Sequence, residues 1–135
     1  EPIRISNLPD IRDVKRLLEI LMSLGVEITP VDRNTIELKA ENINFEYLQS
    51  PEFVKISGAI RASIMILGPL LGRFGRAYTA KPGGDKIGRR PLNAHFEGFQ
   101  ALGATVNYDA EKTLYEISAD TLKGKYILLN ILYLF

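Results

Sequence analysis

Cysteine is absent from the 135 residues, which removes disulfide frameworks, thiolate zinc sites and cysteine nucleophiles. The reducing cytosol is the compartment this composition fits most simply, so a cytoplasmic location is expected. Net charge is nearly absent as well: 17 Lys and Arg against 16 Asp and Glu leave +1, a total that points to neither a nucleic-acid binder nor a membrane-surface protein. Long apolar runs are missing. The longest, Ile60 to Leu71, is interrupted by Arg61, Gly68 and Pro69 and is too short to span a bilayer, so no membrane partner is expected. No signal-peptide pattern precedes it. Glu1 leads straight into strand-like Pro2-Ile3-Arg4-Ile5, from which a shortened chain with its natural start upstream is expected. What remains is ordinary for a soluble folded domain: 46% hydrophobic and 24% charged residues in a chain long enough to bury about two-thirds of its surface.

The near-zero charge conceals a segregation. Lys55 to Arg90 holds eight cations (Lys55, Arg61, Arg73, Arg76, Lys81, Lys86, Arg89 and Arg90) and one anion, Asp85, so this span carries +7 and the rest −6. Local positive potential is what a compact phosphate or carboxylate requires. The plain alternative is a solvated basic face.

Apolar spacing at Ile11, Val14, Leu17, Leu18, Leu21 and Leu24, ending at Gly25, predicts one amphipathic helix. Val26–Ile28 and Asn34–Lys39 alternate apolar and polar, which predicts a hairpin turning through Pro30-Val31-Asp32-Arg33. A second helix is predicted from about Glu52 to Leu71, apolar on most sides and therefore internal, kinked or ended by Pro69. The same order then restarts. Arg76–Ala80 predicts a strand, Lys81–Arg90 a glycine-rich loop, and Pro91 the opening of a helix carrying Leu92, Phe96, Phe99 and Leu102. Leu102-Gly103-Ala104-Thr105-Val106 answers to Leu24-Gly25-Val26-Glu27-Ile28, and Lys112–Ile117 to Asn34–Leu38, each about 78 residues on. This implies an internal duplication: units at about 1–50 and 76–129, joined by an internal helix at about 52–71, in an α+β or α/β layered architecture. Tyr126–Leu129 reads as a last strand, and Ile131–Phe135 as an apolar tail.

The candidate chemistry centres on Lys81-Pro82-Gly83-Gly84-Asp85-Lys86-Ile87-Gly88-Arg89-Arg90-Pro91, placed between a strand and a helix N-terminus, where free N–H groups and the dipole favour anions. Two adjacent arginines add fork-shaped donors for phosphate or carboxylate oxygens. Neither a P-loop nor a dinucleotide fingerprint is present, so these residues alone indicate generic anion binding, with a plain surface turn as the alternative. Asp85 is the one carboxylate in that field, either a proton donor or a charge-balancing turn residue. Arg61, inside the internal helix, must snorkel, pair or point into a polar cleft. His95 shares the face of Leu92, Phe99 and Leu102, so a packed core histidine is expected over a catalytic base. No metal-ligand spacing and no Ser-His-Asp arrangement is seen.

Arg61–Gly75 (RASIMILGPLLGRFG), Pro82–Pro91 (PGGDKIGRRP) and Gly98–Ala104 (GFQALGA) together resemble the UDP-N-acetylglucosamine enolpyruvyl transferases, a likeness running from Pro2 to about Leu129. Members of that family are roughly three times longer, so the resemblance implies part of one domain, with the remainder of a two-domain enzyme expected. It also implies the inside-out α/β barrel fold, no cofactor, and transfer of enolpyruvyl from phosphoenolpyruvate to the 3′-hydroxyl of UDP-N-acetylglucosamine in peptidoglycan synthesis. By the resemblance, Arg61 and Arg90 grip phosphoenolpyruvate, and Asp85 takes the loop position that is usually cysteine and can donate a proton there. Lacking the thiol that fosfomycin alkylates, the complete enzyme is expected to resist that drug. Pro91 and Leu92 match the uridine-contacting stretch, Asn93 and Ala94 replace the family's commoner aspartate and leucine, and His95 matches a family histidine. The chain alone is expected to be inactive, since transition-state stabilisation needs both sides of the cleft. The related shikimate-pathway enolpyruvyl transferase, and a non-catalytic anion- or nucleic-acid-binding module, are the alternatives.

Overall fold

A computed structural model describes residues 1–80 and 92–128 of the chain. The first unit runs β1 (Ile3–Ile5), α1 (Arg12–Ser23), β2 (Glu27–Asp32) and β3 (Thr35–Lys39). β3 lies between the other two strands and is antiparallel to both, so β1 and β2 run parallel with α1 as their crossover. Pairing of Ile3 with Leu38 and Leu38 with Ile28 puts one apolar row across all three strands, and Arg4 opposite Glu37 makes an ion pair on the other face.

Pro30-Val31-Asp32, expected as turn, continues β2 instead, with a register shift between Pro30 and Asp32. An edge strand tolerates a proline because one side of it carries no ladder bonds. The turn is Arg33-Asn34, held by the Asn34 N–H donating to Asp32 Oδ1 at 2.8 Å, a bond that keeps the Asp32 carboxyl below its ordinary 3.8.

A 3-10 turn (Tyr47–Gln49) leads into α2 (Pro51–Ala59), where Ser50 caps the first turn by accepting the Phe53 N–H at 3.1 Å and Pro51 opens the helix. The single helix expected from about Glu52 to Leu71 is two helices. At Ile60 the backbone becomes extended (φ −132°, ψ 138°), a 3-10 segment covers Arg61–Ile66, and α3 runs Leu67–Phe74, the axis turning by 116° from α2. Pro69 neither kinks nor ends anything. It sits in the first turn of α3, where a missing N–H costs no hydrogen bond.

The second unit is β4 (Arg76–Ala80), α4 (Asn93–Ala101), β5 (Thr105–Asp109) and β6 (Leu114–Ser118), its sheet ordered β4-β6-β5 with both pairings antiparallel, as in the first unit. The duplication extends to the helix ends. Gly25 and Gly103 both take positive φ (+92° and +104°), and the bonds Val26 N to Leu21 O and Gly25 N to Met22 O recur as Ala104 N to Phe99 O and Gly103 N to Gln100 O. This double closure is the Schellman motif.

Ile20 of α1 and Leu24 at its C-cap, Phe53 of α2, Leu67, Leu70 and Leu71 of α3, Ala77 of β4 and Leu114 and Ile117 of β6 share one buried cluster, so the α2–α3 segment packs between the two units. Full burial of a side chain such as Leu67 or Phe53 contributes about 1.5–3 kcal/mol. The last strand expected at Tyr126–Leu129 is not formed over 126–128. Residues 121–128 take no regular structure, although Lys123 N bonds Leu102 O at 2.9 Å. Leu129 and the tail Ile131–Phe135 lie outside the described residues.

Candidate functional site

Asp85, Arg90 and Pro91 lie outside the described residues, as does the whole glycine-rich stretch 81–91. The structure places its two ends: β4 delivers the chain to Ala80, and the chain resumes at Leu92, the N-cap of α4. Four predicted site residues are described. Leu92 is buried in the core cluster, while Asn93 and His95 are exposed in the first turn of α4. The expectation that His95 packs as a core histidine is therefore incorrect. It lies one residue, or about 100°, around the helix from Phe96, and it is Phe96 that packs on the Tyr115 ring at 4.7 Å.

Arg61 is exposed at the start of the 3-10 segment, immediately after the buried Ile60, rather than inside a continuous internal helix. That segment and α2 both contact β4, the strand whose end launches residues 81–91. Arg61 therefore stands on an element packed against the strand that precedes that stretch. Leu92, Asn93 and His95 are brought together by the first turn of α4, whose Leu92 carbonyl accepts the His95 and Phe96 N–H groups at 2.9 and 3.1 Å.

The basic span divides. Arg73 donates to the Ala40 carbonyl at 2.7 Å and stacks on Phe74 at 4.8 Å, and Arg76 stands 4.4 Å over the Phe45 ring. Arg73 ties α3 to the first unit and Arg76 ties β4 of the second unit to the first, so both do structural duty. Lys55 and Arg61 are exposed, and Lys81, Lys86, Arg89 and Arg90 lie outside the described residues.

Sequence reasoning passed over the pair Tyr78 and Glu116, directly opposed on β4 and β6, with the phenol 3.1 Å from Glu116 Oε1. Burial, then the Glu116 charge, pushes the Tyr78 phenol above its ordinary 10.0. The strand at Arg76–Ala80 could be read from the sequence, but the residue opposite Tyr78 is set by the β6 register, which the sequence alone does not number.

An open cleft of about 580 Å³ lies at the Ser118 end of the second sheet, with Gly103, Thr105, Asp120 and Lys123 in its wall. It is the opposite end from Ala80, about 13 Å away along β4 by strand rise, and holds none of the predicted site residues. Among the described residues no group of three His, Asp or Glu side chains is placed to hold a metal ion. Among them, too, no single helix is long and apolar enough to cross a membrane.

Residues 1–131 match the family described as EPSP synthase (3-phosphoshikimate 1-carboxyvinyltransferase). The chain is 45% identical over 130 residues to the UDP-N-acetylglucosamine 1-carboxyvinyltransferase of Bacteroides thetaiotaomicron, covering 96% of this chain and 30% of that protein. The protein of the same name from Porphyromonas gingivalis is 44% identical, and that from Finegoldia magna 38%, over the same shares. The chain thus spans about a third of the length of these curated relatives. Among solved structures, the enolpyruvyl transferase NikO from Streptomyces tendae superposes with a TM-score of 0.69 over 90% of this chain and 25% of NikO, at 23% identity, a likeness of fold. The two β-α-β-β units are accordingly a partial enolpyruvyl transferase fold, and the chain belongs to the EPSP synthase (3-phosphoshikimate 1-carboxyvinyltransferase) family.

Proposed function

We propose that this chain is part of a cytoplasmic enzyme that moves enolpyruvyl from phosphoenolpyruvate to the 3′-hydroxyl of UDP-N-acetylglucosamine for peptidoglycan synthesis. The supporting observation is the 45% identity, sustained across 130 residues, to a relative named for that sugar-nucleotide reaction. The chemistry asks for groups this sequence has. A proton goes to C3 of phosphoenolpyruvate, the sugar 3′-oxygen adds to C2 as its hydroxyl proton passes to a base in the rest of the enzyme, phosphate leaves the tetrahedral adduct, and loss of a C3 proton restores the double bond. Asp85 is the proton donor in this scheme. Arg61 and Arg90 hold the phosphate and carboxylate, and Arg90 also stabilises the departing charge, worth several kcal/mol when donors are fixed in advance. Pro91, Leu92, Asn93 and His95 form the nucleotide-side wall, and the remaining catalytic groups belong to the rest of the enzyme.

The family description favours one other acceptor, shikimate 3-phosphate. Orthophosphate release by the full-length protein, measured with phosphoenolpyruvate and each acceptor in turn, decides between them. Turnover with UDP-N-acetylglucosamine and none with shikimate 3-phosphate is the expected result. The reverse pattern defeats the proposal. The chain 1–135 alone is expected to release no phosphate with either.

A further inference from the structure

Ser63 is fully buried, yet it is a hydroxyl inside the most apolar stretch of the chain. Its Oγ lies 2.9 Å from two backbone carbonyls, those of Ser57 and Ile60. The Ser57 carbonyl belongs to the last turn of α2, whose final carbonyls have no partner within the helix, and the Ile60 carbonyl belongs to the extended residue that ends α2 and opens the 3-10 segment. The hydroxyl has one proton, shared between the two acceptors, and thereby closes the segment 57–63 at the point where the backbone turns by 116°. Arg61 lies within that closed segment. Ile60 and Ile64, 4% and 8% exposed, anchor the backbone in the core on either side of it. A guanidinium on a long, rotatable stem gains little precision from its own side chain, so the direction of its backbone decides where it can reach.

We propose that Ser63 is a positioning residue: by tying the Ser57 and Ile60 carbonyls together it fixes the break at Ile60 and hence the approach of Arg61 to the anionic substrate. This rests on the reading of Arg61 as a phosphoenolpyruvate-binding residue. Ser63 itself touches no substrate. Its loss acts on the step Arg61 performs, uniform binding of phosphoenolpyruvate, and leaves the acceptor sugar nucleotide alone.

The test uses the full-length protein and two variants of equal added volume, Ser63→Thr, which keeps the hydroxyl, and Ser63→Val, which lacks it. Ser63→Val is expected to raise KM for phosphoenolpyruvate about tenfold, with kcat within about twofold and KM for UDP-N-acetylglucosamine unchanged. Ser63→Thr stays within about threefold of the parent on all three constants. Where Ser63→Val does not fold, Ser63→Ala gives the same readout without the added methyl groups. Equal behaviour of Thr and Val, or a matched change in both KM values and kcat, overturns the inference and leaves Ser63 a packing residue. Arg61→Ala is run beside them: a raised phosphoenolpyruvate KM there with none in Ser63→Val defeats the tie alone, whereas no change in Arg61→Ala defeats the assignment of Arg61 and the tie with it.

Discussion

Gly25 and Gly103 close the same motif in the two units, so replacing each by alanine compares one perturbation in two settings. Both sit at positive φ, where an L side chain costs about 1–2 kcal/mol. The surroundings differ. A Cβ at Gly103 would stand 3.3 Å from the Thr121 carbonyl, on a segment without regular structure that can give by a few tenths of an ångström. A Cβ at Gly25 would fall well inside contact distance of the Asn42 carbonyl, on a segment held by the Asn44 N–H donating to Leu24 O at 2.8 Å. Forcing that backbone aside adds about 1–3 kcal/mol. Gly103→Ala is therefore expected to cost about 1–2 kcal/mol and Gly25→Ala about 2–5 kcal/mol. Urea unfolding at neutral pH, with midpoints compared at constant m, measures both. Equal losses, or a larger loss at Gly103, would refute the claim that the close approach of Asn42 distinguishes the two caps.

The Tyr78 phenol is held above its ordinary 10.0, so its neutral form is favoured in the folded protein. The stability this lends is complete below that value and fades as pH rises through the folded pKa. Tyr78→Phe is expected to flatten the alkaline fall in urea midpoint, and an unchanged alkaline fall contradicts the role given to burial and Glu116. Asp85→Cys in the full-length protein is expected to introduce time-dependent inactivation by fosfomycin where the parent shows none; a parent already inactivated by the drug removes the argument from the missing thiol. Leu67→Ala, which empties a fully buried site between the units, is expected to cost about 2–5 kcal/mol by the same urea assay, and a loss below about 1 kcal/mol would mean that the α2–α3 segment is not central to the core.

The elements that could be read from the chain are those whose residues declare themselves locally. Leu17, Leu21 and Leu24 recur at helical spacing and stop at Gly25, and the structure has α1 ending in a glycine cap there. Arg76–Ala80 carries no breaker and forms β4 as expected. The break at Ile60 was invisible because nothing local encodes it: isoleucine disfavours neither helix nor strand strongly enough, and the hydroxyl that satisfies the freed carbonyls comes from Ser63, three residues on. Pro69 misled in the opposite sense, since a proline signals a break only in a helix interior. Pro30 misled because its tolerance in β2 depends on that strand being an edge, a property of the assembled sheet. Tyr126–Leu128 has strand composition but no strand beside it among the described residues. At the site, the residue types and their order were legible, and Arg61, Leu92, Asn93 and His95 could be placed in the fold. How far each is exposed depends on packing, which is where His95 departed from expectation.

Phosphoenolpyruvate titrated calorimetrically into the full-length protein, with no acceptor present so that no turnover occurs, tests most directly whether Arg61 and Arg90 serve one anion. The account predicts that Arg61→Ala and Arg90→Ala each weaken binding at least about tenfold, and that the double variant loses less than the two losses combined, as residues sharing a ligand do. Parental affinity in either single variant would contradict it.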